Sequence, residues 1–376
     1  MSEGLTDHDA YLILNALPNI GPVTLNRILQ ELGGDARSVF DASAQRLEQI
    51  KGVGPAISST IRGWREHFHL EREKERMVQS GATFLTVSDP AYPRLLKQIY
   101  DPPIGLYRKG SYGFEHPCVA IVGSRKTTLY GQSTARKMAG ELARLGFCVV
   151  SGLARGIDTA AHEGALEAGG RTAAVVGCGI DIVYPPENLE LYRTIEASGA
   201  ILSEFPFGRR ADRQSFPMRN RVVAGMCEAT IVVETDVDGG SMITARFAGE
   251  QGRLVFAVPG RIDQPSSAGC HQLIRDGAIL LTSVEDLLQE LNYLDGLRPQ
   301  PIPEKPAFTA GENIGELTDE EHVVFSCFDG GEILSLDALA QKTPLSPAQI
   351  ASTLMMLELK CLVTKRSDGL FEARGR

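Results

Sequence analysis

Six short apolar segments dominate the middle of the chain, and glycine or turn residues bound each of them. They read CVAIVG, FCVVSG, TAAVVG, GAILSEF, ATIVVE and LVFAVPG. Their hydrophobicity is continuous rather than alternating, which indicates strands buried on both faces, as in a parallel sheet covered by helices. Helical stretches such as GQSTARKMAGELARL separate them. The pattern therefore predicts an α/β fold with a doubly wound, mostly parallel sheet.

Four regions follow from the changes of pattern along the chain. We predict an N-terminal helical domain over residues 1–75, the α/β domain over 76–292, a Pro-rich linker over 293–316 and a winged helix over 317–376. The last region contains three short helical segments and then a two-stranded turn through Ser367-Asp368-Gly369. Ser335 and Ser346 are expected to cap the second and third of these helices.

Two similar phrases occur in the N-terminal region, LPNIGPVTLNRIL from Leu17 to Leu29 and IKGVGPAISSTI from Ile50 to Ile61. Each is an apolar-Gly-Pro turn followed by a helical pattern, as in helix-hairpin-helix motifs. Such a turn can present backbone N–H groups to a DNA phosphate. Equally, the Gly-Pro pairs can serve only as tight turns in a helical packing domain. The sequence leaves both alternatives open.

The balance of charge limits how the chain can contact nucleic acid. The 376 residues carry a formal net charge of −9, so a DNA site must be a local basic patch. Residues 209 to 221 include a single acid, Asp212, and five arginines: Arg209, Arg210, Arg213, Arg219 and Arg221. No leader-like start and no long apolar run are present, so a cytoplasmic location without membrane contact is expected. The seven scattered cysteines are expected to be buried, reduced thiols.

The turns that follow the apolar runs are rich in Gly and Ser. In an open parallel sheet, ligands bind at the carboxyl ends of the strands, so these turns should converge on one edge. We predict that they bind phosphate through Gly123, Ser124, Arg125, Ser151, Gly152, Arg155, Gly156, Gly239, Gly240 and Ser241. The alternative is that the glycines only let helix and strand pack closely, with Arg155 as a solvated surface charge.

The strongest signal is RRADRQSFPMRNRVVAG, residues 209–225. Guanidinium groups fork onto phosphates, and an aromatic ring among them offers a surface on which a base can stack. The residues predicted to bind DNA here are Arg213, Phe216, Arg219, Asn220 and Arg221. In the alternative, Phe216 plugs the core while Arg219 and Arg221 form ion pairs with Glu204 or Glu234.

Signatures of enzymes are missing from the sequence. There is no GxxxxGK[ST], the GCGID turn lacks the third glycine of a dinucleotide fingerprint, and the histidines show no ligand spacing. Neither a cofactor nor a metal is therefore expected. Asp158, Glu204 and Glu234 are interpreted as groups that cap helices or order loops. The chain is predicted not to be an enzyme.

The ordered series VGSR, SGLARGIDTAAH, VVGCGIDIVYP, SEFP, FPMRNRVVAG, DGGSMITA and AVPG closely resembles the DprA/Smf family over Tyr92 to Leu288. The resemblance implies an extended Rossmann-like fold with an N-terminal SAM-like or helix-hairpin-helix domain. It also implies binding of single-stranded DNA without ATP, a homodimer, and loading of RecA during natural transformation. We expect the homodimer to form through the Rossmann-like domain. Arg125, Phe216, Arg219 and Arg221 match the DNA pocket of the family. Arg213 stands where members often have Lys.

Two other functions remain possible at this point. Rossmann-like phosphoribohydrolases of the LOG type also carry a Gly-Gly turn, PGGxGTxxE, but the turn here reads DGGSMITAR and lacks the Gly-Thr and the Glu. A passive scaffold could use the arginines to contact acidic partners. In the winged helix, the recognition segment SPAQIASTLMMLELKCL has a single cation, Lys360, so contact with a protein is an alternative to reading duplex DNA.

Overall fold

A computed structural model describes residues 4–292, 317–328, 332–360, 362–366 and 369–373. The chain divides into two compact units. The first contains the N-terminal helices and a nine-stranded sheet; the second contains Thr127–Thr134 and the C-terminal elements. The predicted linker, residues 293–316, lies outside the described residues, and the four predicted domain boundaries stay predictions.

The sheet of the first unit is mostly parallel. Its strands are β1 (Thr83–Thr86), β2 (Gly105–Lys109), β3 (Cys118–Val122), β4 (Cys148–Ser151), β5 (Arg171–Val176), β6 (Ala200–Ser203), β7 (Ala229–Val232), β8 (Leu254–Ala257) and β9 (Ile279–Leu280). Their order is β1-β2-β6-β5-β4-β3-β7-β8-β9. The strands from β3 onward pair in parallel, and β1 and β2 add an antiparallel edge beside β6. The six apolar runs correspond to β3 to β8, which confirms the predicted α/β class.

Helices cover both faces of the sheet. After β2 they are α8 (Leu129–Arg144), α9 (Ile157–Glu167), α10 (Leu189–Ser198), α11 (Ser215–Gly225), α12 (Gly240–Glu250), α13 (Ala268–Arg275) and α14 (Val284–Glu290). Successive residues of a strand point to opposite faces. Ala120 of β3 accordingly packs in one apolar cluster with Val222 of α11, and Ile121 packs in another with Leu142 of α8. This double burial explains the continuous hydrophobicity of the strands.

Seven helices precede the sheet: α1 (Asp7–Ala16), α2 (Pro22–Glu31), α3 (Ser38–Asp41), α4 (Ala44–Glu48), α5 (Pro55–Arg62), α6 (Trp64–His67) and α7 (Leu70–Ser80). The two Gly-Pro turns open α2 and α5, with Gly21 and Gly54 as N-caps. Leu12 and Trp64 belong to the same apolar cluster as Tyr107 of β2. The helices therefore share a core with the antiparallel edge of the sheet. Phosphate binding by the two turns stays a prediction.

The second unit has the winged-helix arrangement. Its elements are α15 (Asp319–Ser326), β10 (Ile333–Leu334), α16 (Leu336–Lys342), α17 (Pro347–Leu359), β11 (Val363–Lys365) and β12 (Phe371–Ala373). Ser335 and Ser346 cap α16 and α17 through their hydroxyl groups, as predicted. The predicted two-stranded wing has a third strand, because β10 pairs with β12. Ser367 and Asp368 of its turn lie outside the described residues.

The outward side of α17 is apolar in its second half. Met355, Met356 and Leu359 are exposed there, and the one cation at its end, Lys360, pairs with Glu321 at 2.7 Å. A helix that reads base edges normally presents Arg, Lys or Asn side chains. The geometry therefore favours protein contact over duplex reading for this helix, and that choice stays a prediction.

Most of the cysteines are buried, as predicted. Cys118, Cys148, Cys178, Cys227 and Cys270 are buried thiols, Cys327 is a free thiol that is only partly buried, and Cys361 lies outside the described residues. Burial raises the pKa of the Cys148 thiol well above its usual range, which keeps it protonated. Within the described ranges, no helix is long and apolar enough to cross a membrane, and no cluster of His, Cys, Asp or Glu could hold a metal ion.

Candidate functional site

A cleft of about 570 Å³ opens at the carboxyl ends of β3, β4 and β7. At β3 the strand order reverses, because β4 lies on one side of it and β7 on the other. Open α/β sheets bind ligands at such a switch point. The turns after β3, β4 and β7 and one side of α11 line the cleft. The predicted convergence of the Gly-rich turns on one edge is what the structure shows.

Most of the predicted site residues line this cleft. They are Gly123, Ser124, Arg125, Gly152, Arg213, Phe216, Arg219, Asn220, Gly239, Gly240 and Ser241. Arg155 lines an adjoining recess that shares Arg125, Phe216 and Arg219 with the cleft. Ser151, Gly156 and Arg221 line neither space. Lys126, which the sequence analysis passed over, also lines the cleft and is exposed.

An aromatic ring stands where the cleft meets the recess. Phe216, in the first turn of α11, is half-buried, and the guanidinium carbon of Arg125 lies 4.9 Å from its ring centroid. The ring of Tyr184 lies 5.8 Å from that of Phe216, with the two planes inclined by 41°. A Cβ at Gly177 would lie 3.3 Å from Phe216 Cδ1, so the glycine leaves room for the ring. Phe216 is thus a positioned ring with a cation beside it.

Arg219 forms part of the floor of the cleft rather than projecting into it. Its guanidinium is buried, donates to the Val175 carbonyl at 2.7 Å and also donates to the Gly152 carbonyl. Burial lowers the pKa of Arg219, and the nearby Asp158 carboxylate counteracts that effect. A Cβ at Gly152 would overlap this guanidinium, so a larger residue there would displace Arg219 from its carbonyl acceptors. Arg219 holds the ends of β4 and β5 together beneath the site.

Arg221 lies on the opposite side of α11, away from the cleft. Its Nη2 donates to both carboxylate oxygens of Glu204, at 2.5 and 2.6 Å, and its Nη1 donates to the Asp101 carbonyl at 2.6 Å. The side chain is only 4% exposed. The structure thus contradicts phosphate contact by Arg221 and supports the alternative, an ion pair with Glu204.

Hydrogen bonds within the protein hold the turn after β4. The Asp158 carboxylate accepts from the amides of Gly152 and Ala154, at 3.1 and 3.3 Å. The first amide of α9, that of Ile157, donates to the Ser124 carbonyl at 3.2 Å. Asp158 therefore ties this turn to the first residues of α9, and it orders the loop as expected. Burial raises the pKa of its carboxyl group, against the effects of Arg219 and the two amides.

Two of the predicted phosphate ligands are used for packing in this turn. The Ser151 hydroxyl is fully buried and donates to the Ile121 carbonyl at 2.7 Å. Gly156 has φ +78°, and a Cβ there would overlap the Ser124 carbonyl. The alternative reason for these glycines, close packing of helix and strand, is the one that the structure supports. Ser151 and Gly156 are therefore not placed to bind phosphate, whereas the contact predicted for Arg155, which lines the recess, stays a prediction.

Several of the arginines near the cleft already form ion pairs within the protein. Arg209 pairs with Asp212 at 2.6 Å, and Arg155 in the recess pairs with Glu187. Arg213 is exposed at the rim of the cleft. Arg125, Lys126 and Arg213 are consequently the exposed cations of the cleft itself, and Asp236 is an exposed acid on the same lining.

A carboxylate from the N-terminal helices holds the loop that precedes the arginine-rich residues 209–225. Glu73 of α7 is buried and accepts from the Tyr107 hydroxyl at 2.8 Å and from the Phe207 amide at 2.9 Å. Burial raises the pKa of Glu73, against the effect of these two donors. Asp181 accepts from the next amide, that of Gly208, at 2.9 Å. The only sequence signal for Glu73 is a carboxylate on the apolar side of a helix.

His162 provides a prediction about pH. It is fully buried in α9, its Nδ1 lies 2.7 Å from Thr172 Oγ1, and burial lowers its pKa to about 3. The unfolded chain binds a proton at this histidine below about pH 6.5, whereas the folded chain does not. The free energy of unfolding should therefore fall as the pH drops from 6.5 toward 3. Urea titrations at several pH values should show a flatter slope for His162→Leu, and equal slopes would contradict the assignment.

The fold and the cleft together define a Rossmann-like α/β protein with an open cleft at the switch point of its sheet. Two family models match the chain: DNA recombination-mediator protein A over residues 83–292, and the DprA winged helix domain over residues 309–369. The chain belongs to the DprA/Smf family of DNA recombination mediators.

Known relatives agree with this assignment. The chain is 38% identical to protein Smf of Synechocystis over 76% of this chain and 72% of that protein. It is 42% identical to DNA processing protein DprA of Streptococcus pneumoniae over 60% and 78%, respectively. The solved structure of that DprA superposes with a TM-score of 0.67 at 35% identity, over 76% of this chain and 98% of the other.

A second solved structure bears on the ligand. DNA processing protein A of Helicobacter pylori superposes with a TM-score of 0.51 at 30% identity, over 56% of this chain and 96% of the other. That structure is described as showing a single-stranded-DNA binding mode of the Helicobacter protein.

Proposed function

We propose that this chain binds single-stranded DNA in the switch-point cleft and acts as a recombination mediator. The observation that carries the proposal is Phe216, a half-buried ring beside an exposed guanidinium at the strand ends of an acidic protein. Exposed bases stack on such rings, and the cations neutralise the phosphates between them. The Helicobacter relative supports the choice of ligand.

Each part of the cleft then has a role. Arg125, Lys126 and Arg213 contact phosphates, because they are the exposed cations on its lining. Phe216 stacks on one base, with Tyr184 as a second aromatic wall at the recess. The remaining predicted contacts on the cleft lining are Gly123, Ser124, Asn220, Gly239, Gly240 and Ser241. Gly152 also lines the cleft, but its amide donates to Asp158 and its carbonyl accepts from Arg219, so we assign it no DNA contact.

We further propose that the protein delivers the bound strand to RecA as a homodimer formed through the Rossmann-like domain, in the cytoplasm. Two clefts on one strand would raise affinity through effective concentration, without any new contact. The family assignment supports this step, since the matched family consists of recombination mediators. Assembly of RecA filaments on strands coated with the protein is the direct measurement.

The test of DNA binding uses fluorescent oligo-dT and a duplex of equal length at two salt concentrations. We expect a preference for the single strand, affinity that falls with salt, and loss of binding in the double variant Arg125→Ala/Phe216→Ala. The matched control is Arg193→Ala/Tyr100→Ala, because both side chains are exposed outside the cleft. Absence of binding at low salt would contradict the proposal. Release of ribose phosphate from a mononucleotide would favour the hydrolase alternative.

A further inference from the structure

The amino end of α12 opens into the cleft without a cap of its own. This helix has 11 residues, and its N-cap, Gly239, supplies no side chain. Gly239 N–H donates to the Asp236 carbonyl, and Met242 N–H donates to the Gly239 carbonyl. Among the described residues, the amides of Gly240 and Ser241 have no acceptor. Two N–H groups and the positive end of the helix dipole therefore lie at the cleft lining.

A buried hydroxyl without a partner lies in the same place. Ser241 is only 6% exposed and lines the cleft, yet its Oγ has no hydrogen-bond partner among the described residues. Burial of an unpaired polar group destabilises a fold, so the retention of one needs a reason. One torsion sets the direction of a serine hydroxyl, so it can turn toward a ligand in the cleft.

The turn after β4 is arranged differently. There the Asp158 carboxylate accepts from the amides of Gly152 and Ala154, and the Ser124 carbonyl accepts from the first amide of α9. Within the described part of the chain, no side chain or carbonyl accepts from the amides of Gly240 and Ser241 at the start of α12. The space there is also open, because a Cβ added at Gly240 would meet no atom within 4 Å. A ligand can therefore approach the two amides closely.

We propose that the amino end of α12 is a phosphate site, in which Ser241 Oγ and the amides of Gly240 and Ser241 hold one phosphodiester of the strand whose base stacks on Phe216. The inference rests on the proposed function, and it names the groups that fix the position of the strand. These donors are neutral, and Asp236 is an acid on the same lining. A singly charged internal phosphodiester suits such a site better than a doubly charged terminal phosphate.

For Ser241→Ala we expect weaker DNA binding without a loss of stability. Affinity for oligo-dT should fall roughly tenfold, because a hydrogen bond to a charged phosphate is lost. The midpoint of thermal unfolding should stay equal or rise, because this hydroxyl has no hydrogen-bond partner in the part of the chain that the structure describes. The dependence of affinity on salt should not change, since no cation is removed. The matched control is Ser198→Ala, whose hydroxyl bonds to the Thr194 carbonyl in α10.

Gly240→Ala is a second variant at the same site. The added Cβ has no atom of the described residues within 4 Å, so folding should be unaffected, whereas a phosphate would meet a methyl group. We expect weaker binding of oligo-dT, again with an unchanged thermal midpoint.

Neutral methylphosphonate linkages placed one at a time along the oligonucleotide should identify one position that weakens binding to the wild type. That position should have little effect in Ser241→Ala.

The possible results of these measurements distinguish the phosphate site at α12 from the proposed binding of single-stranded DNA. If Ser241→Ala and Gly240→Ala bind like the wild type while Arg125→Ala/Phe216→Ala has lost binding, the α12 site is overturned and the proposed function stands. If the wild type itself does not bind single strands, both are overturned. If a methylphosphonate weakens the wild type and Ser241→Ala equally, the phosphate lies elsewhere and the assignment to α12 is wrong.

Discussion

Replacing Arg221 with methionine is expected to lower the free energy of unfolding by about 3–5 kcal/mol, the usual effect of removing one partner of a buried ion pair. Both oxygens of Glu204 accept from this guanidinium, and the Asp101 carbonyl accepts from its other nitrogen. Burial raises the pKa of Glu204, and Arg221 opposes that rise. Without Arg221 the carboxylate must be buried alone or take up a proton.

Urea denaturation of wild type and Arg221→Met measures this effect. Arg193→Met is the matched control, because its ion pair with Glu190 is exposed and should contribute little. The double variant Arg221→Met/Glu204→Leu should recover part of the loss, since it removes both buried charges. A stable Arg221→Met protein with weakened DNA binding would contradict the structural role and restore Arg221 as a DNA contact.

The different roles of Arg219 and Arg221 follow from helical geometry. Both lie on α11, and residues two positions apart point about 200° apart around a helix axis. Phe216, Arg219, Asn220 and Val223 share one side by their spacing of three and four residues, and all four line the cleft. Arg221 therefore points to the opposite side. The spacing of the arginines along the helix therefore separates Arg219 from Arg221, whereas their number alone suggests one basic patch.

The sheet and the place of the site could be predicted from the sequence. Continuous apolar runs report burial on both faces of each strand, and strand ends in a parallel sheet meet at one edge. The use of the turn after β4 could not be predicted, because it depends on whether the Asp158 carboxylate folds back to accept from the amides of Gly152 and Ala154. A glycine-rich turn has the same sequence whether an external anion or an internal carboxylate occupies it.

Contacts between segments far apart along the chain could not be predicted from the sequence patterns either. Glu73 reaches the loop before Arg209 only because the N-terminal helices pack on the antiparallel edge of the sheet. Tyr184 meets Phe216 only because the ends of β5 and α11 are neighbours in space. Neither pairing leaves a periodic signal, since the partners lie far apart along the chain.

The single variants Phe216→Ala and Arg125→Ala should differ in how they weaken binding. Loss of the ring removes stacking worth about 1–3 kcal/mol, so affinity for oligo-dT should fall roughly 5- to 150-fold. The logarithmic salt dependence should stay as in the wild type, because no charge is lost. Loss of the guanidinium should weaken binding most at low salt and reduce the salt slope by about 0.7, the value for one phosphate contact on a single strand.

The two side chains also touch each other, which makes the pair informative. Arg125 lies over the Phe216 ring in the free protein, so a base can stack only where the guanidinium leaves the ring accessible or moves aside. Binding measured for both single variants and the double variant forms a cycle. We expect the double loss to be smaller than the sum, because each variant also removes the partner that positions the other. Strict additivity would indicate that Arg125 and Phe216 contact the strand independently.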